Sequence, residues 1–224
     1  MTIEYKINEV FQTIQGEGAY TGTPAIFVRL QGCPVGCSWC DTKHTWTISD
    51  DLQQSAQHIL AKQGDTEHWF NCDAQQLVNL FNEQGYTAKH VVITGGEPAM
   101  YDLRPMTEIL LQLGYTVQIE TSGTFEILVT DGTWLTVSPK VNMRGGYPVL
   151  ASAVQAADEI KHPVATETHI TELDEVLALG TKVGCLVYLQ PISQLPRATK
   201  LAIDTCIARN WRLSLQTHKY LGIQ

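Results

Sequence analysis

A short apolar run leads directly into a group of cysteines in AIFVRLQGCPVGCSWC, residues 25–40. Its first six residues include Ile, Phe and Val, which is typical of a buried β-strand. Three of the six cysteines of the chain follow within the next ten positions, at Cys33, Cys37 and Cys40. A proline and a glycine between them favour the sharp turns of a compact loop. The stretch therefore predicts a buried strand that ends in a metal-binding loop.

Short apolar runs alternate with helical stretches along the rest of the chain, a pattern typical of repeated βα units. Strands are predicted at Ala25–Leu30, His90–Thr94, Tyr115–Glu120, Thr133–Val137, Asp158–Lys161, Cys185–Gln190 and Trp211–Gln216. Helices are predicted after Asp73 and Asp102, and over Thr171–Leu179 and Arg197–Ala208. About six parallel strands are too few for a closed eight-stranded barrel. We therefore expect an α/β fold, an open partial βα barrel, in one domain spanning residues 1–224.

The stretch from Asp41 to Cys72 does not follow this pattern. It is polar, rich in His and Gln, and has no clear periodicity, although the first crossover helix belongs there. We expect a remodelled insertion after the cysteine loop.

Composition limits the partners of the chain. It carries 15 Lys and Arg against 23 Asp and Glu. The resulting net charge of −8 disfavours binding to a polyphosphate such as a nucleic acid. With 44% hydrophobic residues it can bury a sizeable core. No apolar run approaches the roughly 18 residues of a membrane span, and the N-terminus lacks the features of a signal peptide. We expect a cytoplasmic protein with no direct nucleic-acid or membrane partner.

The three clustered cysteines allow more than one metal centre. Three thiolates suit three irons of a [4Fe–4S] cluster and leave the fourth iron open to an exogenous ligand, which points to catalysis. A structural zinc site completed by His44 is the alternative, since zinc sites use similar spacings. Inert thiols are the third possibility at this point.

Two motifs resemble those of the radical S-adenosylmethionine (SAM) enzymes. The first is the Cys-x3-Cys-x2-Cys loop with an aromatic residue, Trp39, before its last cysteine. The second is Gly95-Gly96-Glu97-Pro98, which follows an apolar strand. The resemblance implies a partial βα barrel in which SAM chelates the open iron and is cleaved to a 5′-deoxyadenosyl radical.

Further segments resemble one family within that superfamily, the 7-carboxy-7-deazaguanine synthases. They are FQTIQGEG (residues 11–18), GTPA (22–25), RLQGC (29–33), CDT (40–42), VSPK (137–140), QPI (190–192) and QTHK (216–219). The resemblance implies conversion of 6-carboxy-5,6,7,8-tetrahydropterin to 7-carboxy-7-deazaguanine and ammonia, on the way to 7-deazapurines such as queuosine. It also implies Mg²⁺, a SAM that is regenerated, an electron donor such as flavodoxin, and a homodimer.

The same resemblance assigns roles to individual residues. It implies substrate contacts at Ile14, Gln15, Gly16 and Thr94. Glu17 and Arg29 are added because a carboxylate can accept from the amine-bearing edge of a pterin and a guanidinium can bind its carboxylate. It implies contacts to SAM at Gly96, Ser138, Pro139 and Lys140, with Trp39 and Gln190 as neighbours of the adenine. Thr42 matches the magnesium ligand of the family, and Asp41, the more usual ligand type, is kept as the alternative.

Several of these residues have plainer explanations. Gln15 and Glu17 also suit a tight hairpin turn. A buried Arg29 needs an anion, either the substrate carboxylate or a strand-end carboxylate such as Glu120. Trp39 also suits core packing, and Gln190 a cap at a strand end.

Two other functions remain open on the sequence. An enzyme that activates a glycyl-radical partner shares the cysteine loop but does not require the QGEG turn or the RLQG strand end. A zinc-dependent module that binds RNA is the second, and the acidic charge of the chain opposes it.

Overall fold

Residues 3–223 are described by the structure, a computed structural model, and they contain nine strands and seven helices. The strands are β1 Tyr5–Ile14, β2 Pro24–Leu30, β3 Phe70–Cys72, β4 His90–Gly95, β5 Thr116–Thr121, β6 Trp134–Val137, β7 Glu159–Val164, β8 Leu186–Pro191 and β9 Arg212–Leu213. The helices are α1 Ala56–Ala61, α2 Ala74–Glu83, α3 Arg104–Gln112, α4 Ala151–Ala156, α5 Glu167–Leu177, α6 Pro196–Arg209 and α7 Thr217–Leu221.

All nine strands form one open sheet in the order β3-β1-β2-β4-β5-β6-β7-β8-β9. From β2 to β9 every neighbouring pair is parallel, whereas β1 runs antiparallel to both β2 and β3. The expected open α/β fold is thus confirmed. Since parallel strands bring their carboxyl ends to one edge, the loops after β2, β4, β5, β6 and β8 meet on the same side.

The helices follow local signals in the sequence. Asp73 begins α2 with a reciprocal capping box, in which the Gln76 N–H donates to Asp73 Oδ1 at 2.8 Å and the Asp73 N–H to Gln76 Oε1 at 3.0 Å. Leu77 and Phe81, one turn apart, are fully buried. Pro105 lies in the first turn of α3, where a missing N–H costs nothing.

Some predicted elements differ in the structure. The predicted strand Trp211–Gln216 is reduced to the two residues of β9, and α5 starts four residues before the predicted Thr171. Strands β1 and β3 and the short helices α1, α4 and α7 were not predicted. A register shift between Ile7 and Glu9 interrupts the alternation of β1, so its period-2 signal is weak.

The insertion after the cysteine loop contains two 3₁₀ turns, the six-residue α1 and the strand β3. It is tied down by buried polar contacts. Asn8 Nδ2 donates to the carbonyls of Thr66 and His68 at 2.8 and 3.0 Å, and Gln31 Nε2 to that of Thr47 at 2.7 Å. The segment replaces the long crossover helix that a regular βα unit would have.

Two apolar clusters support the sheet. The larger packs α2 and α3 against β1 to β5, and the smaller packs α5 and α6 against β7 and β8. Within residues 3–223, no helix combines the length and hydropathy needed to cross a bilayer.

Candidate functional site

The strand-end loops enclose one cavity of about 350 Å³. Its wall includes the three clustered cysteines, the turn after β1, the ends of β4 to β8 and the segment that leads into α7. The polar loops that follow the strands thus share one cavity. Phe11 and Phe27, directly opposite each other on β1 and β2, stack at 5.3 Å between ring centroids and form part of the wall.

The cysteine loop is held from several sides. Gly36 has φ 74°, a left-handed conformation that favours glycine, and a Cβ there would lie 3.2 Å from Arg144 Cβ. The Gly145 N–H donates to the Val35 carbonyl at 2.9 Å, and the Cys33 N–H to the Trp46 carbonyl at 3.1 Å. These contacts fix the backbone of the loop.

The thiols of the loop are free and line the cavity. Burial raises the pKa of Cys33 to about 11 and also raises that of Cys37. Metal binding requires thiolates, so loading the site releases protons.

The positions of the donor atoms bear on the choice between an iron–sulfur cluster and a zinc site. Zn–S bonds of about 2.3 Å in a tetrahedron place sulfurs about 3.8 Å apart. Across residues 3–223, the three cysteine sulfurs do not all lie within 4.8 Å of one another. The Nδ1 atom of His44 faces Asp65 Oδ2 at 3.7 Å. His44 is therefore grouped with the carboxylates of Glu9 and Asp65 and not with the three cysteines, which disfavours the Cys3His zinc site.

The turn predicted to bind substrate is a longer loop than a tight hairpin. Residues 15–23 connect β1 to β2, and the Gln15 N–H donates to the Thr23 carbonyl at 2.8 Å. A Cβ on Gly16 would lie 2.5 Å from His218 Nδ1, because the C-terminal segment packs on this turn. Ile14, Gln15, Gly16 and Glu17 all line the cavity.

A buried group of charges forms the wall beside this turn. Lys161 Nζ lies 2.6 Å from Glu17 Oε2 and 2.6 Å from Glu120 Oε2. Burial by itself raises the pKa of Glu17, but the Lys161 ammonium and hydrogen bonds from Lys161 and Gln216 outweigh it and bring that pKa to about 2. Burial raises the pKa of Glu120, and the charge of Glu17 adds to this.

Arg29 has a partner that the sequence did not identify. Its Nε donates to Glu9 Oε2 at 2.7 Å, so the internal salt bridge given as the alternative is present, but its partner is Glu9 and not Glu120. Burial tends to raise the pKa of Glu9, but the Arg29 and Lys62 charges lower it overall. Glu9 uses one of the five guanidinium donors, and four remain on the terminal nitrogens. Arg29 and Thr94 both line the cavity.

The predicted magnesium ligand lies beside the cysteine loop. Thr42 Oγ1 is 3.5 Å from Cys40 Sγ and lines the cavity. The alternative ligand, Asp41, also lines it, but its carboxylate lies 3.5 Å from Lys219 Nζ. The Asp41 side chain is 62% exposed.

Five of the six residues predicted to contact SAM line the cavity. They are Trp39, Gly96, Ser138, Lys140 and Gln190, whereas Pro139 is buried outside the cavity wall. Trp39 is 40% exposed, so the core-packing explanation is wrong. Gln190 lies within β8 and donates to Glu17 Oε1 at 3.4 Å, so it is not a strand-end cap.

The second glycine motif has a structural reason of its own. A Cβ on Gly95 would lie 2.2 Å from the Leu30 nitrogen, and one on Gly96 would lie 2.1 Å from the Gly32 carbonyl oxygen. The Gly96 N–H already donates to the Leu30 carbonyl at 2.8 Å. Glu97 is 1% exposed and joins β4 to β5 by accepting from the Ser122 N–H at 2.8 Å.

The cavity residues without a role in the sequence interpretation include four that are charged or polar: Lys161, Gln216, His218 and Lys219. A lysine within the strand EIKHPV was the available signal for the first, because lysine is rarely fully buried unless it is paired. The other three lie in a segment quoted only for its resemblance to the family.

Glu159 carries a pH-dependent contribution to stability. It is fully buried, it accepts from the Ala19 N–H at 2.9 Å, and burial raises its pKa to about 7. The unfolded carboxyl has a pKa of about 4.3, so the folded state holds a proton between these values and stability falls as pH rises through this window. From about pH 5.5 to about pH 8 we expect the wild type to lose about 2 kcal/mol more unfolding free energy than Glu159→Gln. Urea unfolding at both pH values measures this, and parallel pH profiles would contradict it.

Comparison with known proteins agrees with the fold and the cysteine loop. Residues 14–155 match a family described as a 4Fe-4S single cluster domain. The 7-carboxy-7-deazaguanine synthase of Escherichia coli is 58% identical over 222 residues, 99% of this chain and 100% of that protein. The enzyme of the same name from Synechocystis is 35% identical over 228 residues, covering 100% of this chain and 96% of that protein. A crystal structure of QueE from Escherichia coli superposes with a TM-score of 0.93 at 57% identity, covering 95% of this chain and 93% of that one.

The open parallel sheet, the three-cysteine loop and the matched cluster domain define a radical SAM iron–sulfur enzyme. Within that class, the full-length relatives are decisive. The chain belongs to the 7-carboxy-7-deazaguanine synthase family.

Proposed function

We propose that this chain converts 6-carboxy-5,6,7,8-tetrahydropterin to 7-carboxy-7-deazaguanine and ammonia, a step towards queuosine. The observation that carries the proposal is the full-length relationship to synthases of this name, together with one cavity that holds both the cysteine loop and the charged turn. When bound, the [4Fe–4S] cluster and SAM supply radical chemistry that removes a carbon-bound hydrogen atom.

The residues of the chain bind and orient the reactants. Cys33, Cys37 and Cys40 would hold the cluster at one part of the wall, and three thiolates would leave one iron without a protein ligand for SAM to bind. Arg29, fixed by Glu9, binds the substrate carboxylate and so orients the adjacent carbon. The ionised Glu17 accepts hydrogen bonds from the amine-bearing edge of the pterin.

The test is anaerobic incubation of the reconstituted chain with 6-carboxytetrahydropterin, SAM, Mg²⁺ and a reductant, followed by mass analysis. We expect more than one molecule of 7-carboxy-7-deazaguanine to form for each molecule of SAM consumed. Release of 5′-deoxyadenosine without that product would support the radical chemistry but exclude 6-carboxytetrahydropterin as the substrate. Absence of both, with iron and sulfide present, would contradict the open-site assignment.

We propose that Thr42, with substrate oxygens and water, holds Mg²⁺. The hydroxyl is close to Cys40 at the cavity wall, and Mg²⁺ retains several waters beside one or two protein ligands. Thr42→Ala is expected to raise the Mg²⁺ concentration for half-maximal stimulation about tenfold. Asp41→Asn is the matched variant, since its carboxylate faces Lys219. A shift with Asp41→Asn alone would transfer the assignment to Asp41.

We also propose that the chain works as a homodimer in the cytoplasm and receives electrons from a donor such as flavodoxin. Six free cysteines suit a reducing compartment.

The dimer is supported by an apolar surface on α6. Ile203 and Ile207, one turn apart on this helix, are 39% and 78% exposed and offer that surface to a second copy. Sedimentation at the mass of a 24.9 kDa monomer would contradict the dimer.

A further inference from the structure

Lys161 is a buried cation without an assigned part in the reaction. It lies within β7, its side chain is 4% exposed, and it contributes to the cavity wall. Desolvating an ammonium is costly, and a well-packed apolar residue would serve a purely structural purpose at least as well. Its placement at the site therefore calls for a functional reason.

The two carboxylates that contact Lys161 are held firmly by other groups as well. The second oxygen of Glu17 accepts from Gln216 Nε2 at 2.9 Å. The second oxygen of Glu120 accepts from Gln15 Nε2 at 3.3 Å and from Gln118 Nε2 at 3.2 Å. Lys161 thus stands at the centre of a network that joins the substrate turn to β5, β7 and the C-terminal segment.

The charges of this network depend on Lys161. Each carboxylate oxygen is 2.6 Å from the ammonium, so the two oxygens are at most about 5 Å apart. Two carboxylates this close in a buried site do not both stay ionised without a cation. Without Lys161 they would share one proton, and Glu17 would be charged only part of the time.

We propose that Lys161 is a positioning residue that determines substrate specificity: it keeps Glu17 ionised and in place to recognise the exocyclic amine of a 2-amino-4-oxo-pteridine and to reject a 2,4-dioxo-pteridine. This inference rests on the proposed function. An amine donates a hydrogen bond to the carboxylate, whereas a carbonyl at the same position turns its lone pairs towards it. Discrimination of this kind is strong because the mismatched ligand leaves a buried charge unpaired.

The experiment compares two stable analogues as competitive inhibitors of the reconstituted holoenzyme. They are 6-carboxypterin, which has the amine, and 6-carboxylumazine, which has a carbonyl in its place. We expect the wild type to prefer the pterin at least about tenfold, and the preference to fall towards one in Lys161→Met. Lys161→Arg keeps the charge and is expected to keep the preference.

A double variant separates charge from packing. In Lys161→Met with Glu120→Gln, the repulsion between Glu17 and Glu120 is removed while Gln216 still donates to Glu17, so part of the preference is expected to return. If Lys161 acted only through packing, the Glu120→Gln substitution would not restore the preference for the pterin. Lys182→Met, which removes a half-exposed lysine paired with Asp158, is the control and is expected to leave the preference unchanged.

The possible outcomes test the role of Lys161 separately from the proposed function. An unchanged preference in Lys161→Met, or no recovery in the double variant, would overturn the inference. If Lys161→Met does not fold, Glu17→Gln must abolish the preference, and a retained preference there would overturn it equally. A wild type that turns over its substrate but binds both analogues alike would refute the inference alone, whereas absence of turnover would refute the proposed function.

Discussion

Replacing Cys37 by serine is expected to reduce turnover to below about a thousandth of the wild-type rate, together with loss of the iron and sulfide of the cluster. Cys37 is 7% exposed and is the middle ligand of a loop whose backbone is already fixed by Gly145 and Trp46. The loop cannot supply another thiolate, because the other three cysteines lie on other elements. A serine hydroxyl is a much weaker ligand for iron at neutral pH.

The matched control is Cys185→Ser, which removes an isolated, partly buried thiol beside β8. It is expected to keep the brown colour, the iron content and the turnover of the wild type. The two measurements are iron and sulfide for each chain and product formed under reducing, anaerobic conditions. Full iron content and turnover in Cys37→Ser would contradict the cluster assignment.

The second large effect is expected at Arg29. Replacing it by lysine removes the planar fork that binds a carboxylate through two hydrogen bonds, while it keeps the positive charge beside Glu9. Hydrogen bonds to charged groups contribute about 1.5–3 kcal/mol each. The KM for 6-carboxytetrahydropterin is therefore expected to rise about 30- to 100-fold, with a smaller change in kcat. The iron and sulfide content of Arg29→Lys is expected to equal that of the wild type.

Arg104→Lys is the control for this variant. Arg104 also pairs with a carboxylate, that of Asp102 at 2.6 Å, but its side chain is 59% exposed and lies outside the cavity. Its kinetic constants are expected to equal those of the wild type. Steady-state kinetics over a range of pterin concentrations test both variants. An unchanged KM in Arg29→Lys would exclude Arg29 as the carboxylate ligand.

Much of the fold was predictable because it follows from local patterns. The apolar runs at β2, β4 and β5 are continuous and are bounded by turns, and each is a strand within one or two residues of its predicted range. Asp73 and Pro105 marked helix starts for reasons internal to the chain. Signals of this kind need no knowledge of distant residues.

The elements that were missed depend on distant contacts. In β1 a bulge interrupts the alternation, and the buried Asn8 is tolerated because it donates to Gln31 Oε1 at 2.8 Å. β3 has only three residues and pairs with Tyr5–Ile7 of β1, 65 positions earlier. Neither partner is visible from the local sequence.

The cysteine spacing, the glycine motif and the overall resemblance by themselves indicated the class of chemistry and a set of site residues, of which all but Pro139 line the cavity. The tertiary structure alone decided which charges meet there. It placed Glu9 against Arg29, and Lys161 between Glu17 and Glu120, although these partners are 20, 144 and 41 positions apart in the chain. The physical reason is that a ligand motif is local in sequence, whereas the neutralisation of a buried charge depends only on distance in space.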